Sequence, residues 1–450
     1  MLTRRDLGLS VAAAGLTAGL SGRATAEEAI SPVQTAAQTA AQMAAQTLAQ
    51  TPLEPVSLDD RFFGEGRYLP LYLDMQANAA AGDPPPGGQL SQYAAFLGDE
   101  ATAVGGEERD RDPTALLPDL ADAEARDALE AIVAAAASTR VVILNEAHNV
   151  SGHRAFANRV MRALRPLGFD WFAAETFTPP QEGPAPDIGL YREGMPFAAS
   201  LGYYTYDPVY AEMVREAARL GYRFAAYEQR WNQQAPEGAS RLEAITARET
   251  AEADNLIEMV LRTQPEAKVF VYCGYSHAME TPGDGGEWFA SRLKAKSGID
   301  PLTIEQSQNW PATRPEADVP HVAAVLKRFA PTKPIVVSRG GEIVASPRNV
   351  GRMDLSVFHP RLPPVSGRPG WLATDPERRP MTVALPTFEG PALLQAIRSG
   401  EGAGSVPADQ FLLTPGQATA TLFLHPGAYL LRLERAGGID AAFGAITVAA

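Results

Sequence analysis

Glu146 and His148 stand one residue apart at the end of a short apolar run, Val141-Val142-Ile143-Leu144. In extended backbone, residues two apart point to the same side, so the acid and the imidazole can face one cavity. A histidine polarised by a carboxylate can act as general base on water. A second apolar run, Lys268–Cys273, ends in Gly274-Tyr275-Ser276-His277. Two further runs end in acids, Phe169–Ala174 at Glu175 and Arg223–Tyr227 at Glu228. Two histidines and two or three carboxylates can also hold zinc or manganese through N and O ligands. The residue types leave metal-free and metal-assisted hydrolysis both open. His153 is a further candidate, set in the first turn of the next helix, where the positive helix end favours its neutral form. Taken singly each acid also reads as a solvated or salt-bridged group, Glu228 above all. His321, His359 and His425 have no comparable setting and read as structural.

Stepping from the residues to their supports, the chain alternates strand-like and helix-like segments from about residue 141. Helical spacing is expected over His153–Leu167, Pro208–Leu220, Ser240–Arg262, Trp288–Lys296 and Val322–Phe329. Gly168 and Gly221 stand where helix C-caps belong. Strands are expected at the four runs above and at Leu302–Ile304 and Pro334–Ser338. Such alternation implies a mostly parallel central sheet flanked by helices, with ligands bound beyond the strands' carboxyl ends. Glu146, His148, Glu175, Glu228 and His277 would then share one rim. A helix is expected over Leu120–Ala137 with Asp119 as N-cap. Beyond Pro360, Leu362–Arg379 reads as a linker. Short strands then follow, with a hairpin at His425-Pro426-Gly427 and one helix near Pro391–Arg398, which together make a small β-sandwich-like domain.

The expected organisation is a leader at 1–26, a low-complexity Ala/Gln/Thr spacer at 27–58, an α/β domain at 59–365 and a β-rich domain at 366–450. The leader carries Arg4-Arg5, a weakly apolar run from Gly8 to Leu20, and Ala24-Thr25-Ala26 as a small-residue cleavage pattern. This is the form of a twin-arginine signal peptide, so the protein is expected in the periplasm or secreted. The net charge is −14, and removing Arg4, Arg5, Arg23 and Asp6 takes away a net +2, leaving about −16. That acidity, with no basic run, argues against a nucleic-acid partner. No later stretch approaches a membrane span. The single cysteine, Cys273, rules out an internal disulfide. A Cys273–His277 nucleophile is conceivable, but its place in an apolar run favours a buried, inert thiol. No Gly-x-Ser-x-Gly elbow, Walker motif or dinucleotide glycine motif is present. Tyr203, Tyr204, Tyr206 and Trp231 fall near the expected pocket mouth.

Asn145-Glu146-Ala147-His148-Asn149-x-x-x-His153 resembles the Gly-Glu-x-His motif of erythromycin esterase-like proteins. It is still closer to the Glu-x-His-Asp-Asn-x-x-His pattern of ChaN-like haem-binding lipoproteins. Ala174-Glu175-Thr176-Phe177 resembles the second motif of that superfamily. Arg248-Glu249-x-x-x-Ala253-Asp254-Asn255, with the strand before Gly274-x-x-His277, resembles the later motif shared with Tiki/TraB relatives. The resemblance covers about residues 135–310. It implies an α/β fold of the erythromycin esterase-like and ChaN-like type, with Glu146, His148, Glu175 and His277 as catalytic residues or ligands to a divalent metal, and Glu228 and His153 as lesser candidates. Three activities are open under it: hydrolysis of a small-molecule or peptide substrate, periplasmic capture of haem or iron, and a non-catalytic scaffold. Asn145 stands where the superfamily has Gly, and Asn tolerates the left-handed backbone a tight turn would need. Asn149 replaces an Asp of the ChaN-like pattern.

Overall fold

Four strands buried on both faces set the frame, and their residues alternate between two apolar layers. In the computed structural model, which describes residues 58–108, 119–181, 191–197, 201–283 and 286–449, these are β2 (Val141–Glu146), β3 (Phe169–Ala174), β4 (Arg223–Ala225) and β5 (Lys268–Gly274). They follow β1 (Ala123–Asp127) and precede β6 (Leu302–Glu305), β7 (Ile335–Arg339), β8 (Glu342–Ile343) and β9 (Leu355–Phe358). The strand order is β1-β7-β9-β6-β2-β5-β3-β4, with β8 on the side of β7. From β9 to β4 every neighbouring pair is parallel, while β1, β7 and β8 pair antiparallel. The expected mostly parallel sheet flanked by helices is therefore present. The strands that carry Glu146, Glu175, Glu228 and His277 at or just past their carboxyl ends are consecutive in it.

The described helices are α1 (Leu58–Glu65), α2 (Leu69–Ala80), α3 (Gln89–Phe96), α4 (Glu100–Glu108), α5 (Ala128–Ala136), α6 (Ser151–Leu164), α7 (Pro208–Arg219), α8 (Arg241–Leu256), α9 (Phe289–Ser297) and α10 (Pro320–Phe329). Val142, Leu144, Phe172, Ala174, Phe270 and Tyr272 face α5, α6 and α7. Val141, Ile143, Trp171, Ala173, Val269, Val271 and Cys273 face α8 and α9. This period-2 partition explains why the runs read as continuously apolar. The helix stops match expectation: Gly168 and Gly221 take the left-handed conformation after α6 and α7. Ser240 caps α8 in a reciprocal box with Glu243.

Several expectations fail for local reasons. Leu120–Ala137 is not one helix: its first half is β1, an edge strand that pairs β7, and Asp127 rather than Asp119 caps α5. Asp119 instead accepts from the Ala121 N–H in a turn. The segment near Pro391–Arg398 is a strand, β11 (Ala392–Arg398), because it lies between two partners, β12 (Asp409–Leu413) and β14 (Gly427–Arg435). Tertiary pairing overrides the helix-compatible sequence Leu-Leu-Gln-Ala-Ile. His425-Pro426-Gly427 is not a hairpin. It joins β13 (Thr419–Leu424), which pairs β10 (Arg379–Ala384), to β14 in the other antiparallel sheet. Two short strands, β15 (Gly438–Ile439) and β16 (Gly444–Val448), complete that second sheet. The stretch 362–379 is more than a linker: Arg368 ion-pairs Asp409 at 2.8 Å, and Leu372 and Asp375 are buried. Residues 1–57, with the expected leader and spacer, lie outside the described residues. No helix among the described residues is long and apolar enough to cross a membrane.

The antiparallel sheets are fastened to α7 by buried charge. Glu212 accepts from Arg398 at 2.6 Å and from Arg215 at 3.0 Å, and lies 2.9 Å from His425 Nδ1. His425 Nε2 reaches Asp375 at 3.2 Å, and Arg162 of α6 reaches the same carboxylate at 3.1 Å. Arg215 also binds Glu401 at 2.6 Å. Burial lowers the proton affinity of His425, but hydrogen bonds to Asp375 and Glu212 outweigh it and raise the value above the ordinary one. Burial raises Glu212, yet Arg398 and His425 hold it well below the carboxylate range. Asp375 is held low in the same way. The raised histidine stabilises the fold fully below about pH 6.5 and less as pH climbs through its folded value. The depressed acids stabilise above about pH 4 and less on acidification. Thermal stability should therefore be greatest between about pH 4 and pH 6.5, and His425→Gln should lessen the decline on the alkaline side. Melting curves from pH 3 to 9 check this; matching alkaline limbs for both proteins would contradict it.

Candidate functional site

Glu146 follows Leu144 on the α6 side of the sheet, so its carboxylate meets the start of α6. There Arg154, fully buried, donates from Nε to Oε2 and from Nη2 to Oε1, both at 2.9 Å. Tyr272 donates its hydroxyl to Oε2 at 2.7 Å. Burial pushes the Glu146 carboxyl up, but Arg154 and the His148 hydrogen bond outweigh it and hold it below its ordinary value. Arg154 is itself anchored: Nη1 donates to Asp207 at 2.5 Å and Nη2 to the His148 carbonyl at 2.6 Å. Asp207 also caps α7 through the Val209 N–H and accepts from Ser151. Neither Arg154 nor Asp207 was legible as a site residue. Arg154 lies in a helix whose apolar spacing it interrupts, and only such an interruption on a buried face could have drawn attention to it.

His148 is held on three sides. Its Nδ1 lies 3.0 Å from Glu146 Oε1. Its ring stacks on Tyr204 with centroids 4.1 Å apart and meets the Tyr275 ring edge-on at 4.9 Å. Its Nε2 edge lies over Gly274: a Cβ there would fall 2.5 Å from Nε2 and 3.1 Å from Glu175 Oε2. A side chain at this position would collide with both groups, so only glycine lets them approach the strand end together. Glu175 accepts from the Gly274 N–H at 2.6 Å and from Arg248 at 2.7 Å, and lies 3.4 Å from His277 Nε2. Burial raises Glu175, but the charges of His277 and Arg248 overcome it and hold the carboxyl well below its usual range. Glu228 joins this group through Arg248, which donates to it from Nε at 3.1 Å.

His277 has a second face. Its Nδ1 lies 2.9 Å from Glu249 Oε2 and 3.2 Å from Glu252 Oε2. Burial lowers its proton affinity, but Glu249, Glu175 and Glu252 raise it well above the ordinary value. Burial pushes the Glu252 carboxyl up to about 8. Glu252 sits close to Arg248 Nε as well, at 3.0 Å, yet off the donor axes, and neither of its oxygens has a hydrogen-bond partner.

The structure brings Glu146, His148, Glu175, Glu228 and His277 to one rim, through Gly274 and Arg248. It does not bring His153 there. That ring is fully buried, accepts from the Ala147 N–H at 3.2 Å, and packs against Trp310 and His359. His359 is driven down to about 3 by burial, so it is neutral there. Cys273 is buried in the α8 layer and its thiol is pushed well up by burial, which makes it inert. Tyr204 belongs to the site; Tyr206 packs among Phe62, Phe96 and Tyr68, and Trp231 is exposed. Asn145 does not make a left-handed turn. It remains in β2 and its amide clamps the neighbouring strand ends, donating to the Tyr275 carbonyl and accepting from the Gln306 N–H, each at 2.8 Å. Tyr275 is the residue with positive φ, +38°, a strained setting typical of functional sites.

Two substitutions probe this construction. Arg154→Met leaves Glu146 and Asp207 buried without their cation and should cost about 3–5 kcal/mol, read as a lower urea midpoint. Gly274→Ala should displace the His148 ring while retaining the fold, visible as a shifted His148 imidazole resonance beside an unchanged far-ultraviolet circular dichroism spectrum.

No protein-family model matches the chain, and no curated protein matches it. Solved structures match at low similarity. A structure described as bacterial protein toxins is similar at 18% identity and TM-score 0.29, over 37% of this chain and 35% of that one. The type III effector HopBA1 is similar at 16% identity and TM-score 0.29, over 40% of this chain and 82% of that one. RRSP, a MARTX toxin effector domain from Vibrio vulnificus, is similar at 16% identity and TM-score 0.26, over 53% of this chain and 40% of that one. The chain spans about a third of the length of the first of these, and similarity at this level assigns it to no family.

Proposed function

We propose that the protein is an exported hydrolase of the erythromycin esterase-like and ChaN-like superfamily, acting on an ester or amide bond. The observation that carries the reading is the buried Glu146–His148 pair, whose Nε2 edge lies against Gly274 beside Glu175. The Glu146 carboxylate, held charged by Arg154, accepts from His148 Nδ1–H and so leaves Nε2 as the basic nitrogen. A water at Nε2 would lose its proton to His148 as its oxygen attacks the carbonyl carbon. The resulting imidazolium would return that proton to the leaving oxygen or nitrogen. The cationic groups of His277 and Arg248 stand beside Glu175, where they can offset negative charge that develops on the carbonyl oxygen.

The test is turnover of chromogenic esters and of a peptide library by the purified protein. His148→Gln and Glu146→Gln should each lower kcat/KM by about 10²–10⁴-fold with the circular dichroism spectrum retained. Turnover that survives His148→Gln would refute the reading.

A further inference from the structure

On the far side of His277 from Gly274, three potential donor groups converge, and one of them, Glu252, has no hydrogen-bond partner. Glu249 and Glu252 are three residues apart on α8, so they share one helix face. His277 comes from the short turn that follows β5, and its Nδ1 points at both. Among the described residues, these three form the one group of His, Cys, Asp or Glu side chains whose ligand atoms all lie within 4.8 Å of one another. All three are buried, at 1%, 0% and 4% exposure. Glu249 is held in place by the Phe289 N–H at 2.8 Å.

The second, independent observation is Glu252. Its side chain is fully inaccessible, and both carboxyl oxygens lack a hydrogen-bond partner. In either protonation state that is a costly arrangement, about 1–3 kcal/mol for a neutral polar group and more for a charge. Native interiors rarely leave such groups alone unless an ion or water completes them. Arg248 pairs with it by charge at 3.0 Å, but its hydrogen bonds go to Glu175 and Glu228. One imidazole nitrogen and two carboxylate oxygens form the donor set that zinc or manganese takes. Ligand atoms around one such ion lie roughly 3–4 Å apart, given bonds of about 2.0–2.2 Å, so only a small closure of the side chains is needed.

We infer that Glu249, Glu252 and His277 form a binding site for one divalent transition-metal ion, zinc or manganese. The site shares His277 with the proposed hydrolytic rim but lies behind it, so the inference does not rest on that reading. Binding at Nδ1 would displace its proton to solvent and leave Nε2–H directed at Glu175, with the ion's charge standing in for that of the imidazolium.

The test uses the full chain, stripped with a chelator, desalted, and titrated calorimetrically with Zn²⁺ and separately with Mn²⁺. The expected result is one ion per chain. Affinity in Glu252→Gln should fall by more than the about 10–100-fold that losing an outer partner costs. His148→Gln should keep the ion while losing turnover, which separates this inference from the proposed activity. Should Glu252→Gln fail to fold, Mn²⁺ bound to the wild-type chain still has to show nitrogen coupling from a single histidine in its spin-echo spectrum. Absence of stoichiometric binding, undiminished binding in folded Glu252→Gln, or absence of histidine coupling would each overturn the inference.

Discussion

The buried guanidinium of Arg154 is the constraint on which the site depends. A charge at that depth persists only with excellent geometry and full hydrogen bonding. Here it has both, with Glu146, Asp207 and the His148 carbonyl as acceptors. The same contacts align three elements that are separate in sequence: the end of β2, the start of α6 and the N-terminus of α7. Each acceptor has a second duty. Glu146 orients His148, Asp207 caps α7, and the carbonyl fixes the loop in which His148 sits. Once Arg154 is in place, little freedom remains to the imidazole.

The strand-borne part of this arrangement was legible in the sequence because strand ends obey a simple rule. Apolar runs of the right length gave β2, β3, β5 and β6 closely, and the acids and histidines within four residues of the ends of the runs in β2, β3 and β5 gave the rim. What stayed hidden came from partners distant in the chain. Arg154, Asp207 and Arg248 acquire meaning only when helices pack against the sheet. β11 reads as a helix until β12 and β14 are set on either side of it. Asn145 was legible as unusual and misread in cause: its amide works through its side chain across two neighbouring strands, where the expectation was a backbone effect. His153 shows the converse error, since a histidine at favourable spacing turned inward to serve the core.

The rim is an electrostatic composite. Carboxylates outnumber their cations there, and His277 and Arg248 lie between them. Glu175, which is shared by both cations and the Gly274 N–H, stays charged in spite of burial. That places a fixed anion beside His148, with His277 and Arg248 on its other side. Such asymmetry is what a site needs if it is to move a proton in one direction during bond cleavage.

The seam between α7 and the antiparallel sheets has a consequence for how this molecule can be divided or rearranged. By composition the chain looks like two modules joined near Pro360. By charge it is one. Glu212 on α7 faces Arg398 and His425 of the sheets, and α7 is the helix whose first turn carries Asp207. Excising the last eighty or so residues would not merely trim an edge. It would take Arg398 and His425 from Glu212 and Glu401 from Arg215, and so loosen the helix that steadies Arg154. The C-terminal sheets are better regarded as the outer wall of the scaffold behind the candidate site than as an appendage, and recombination should keep them with the helix they brace.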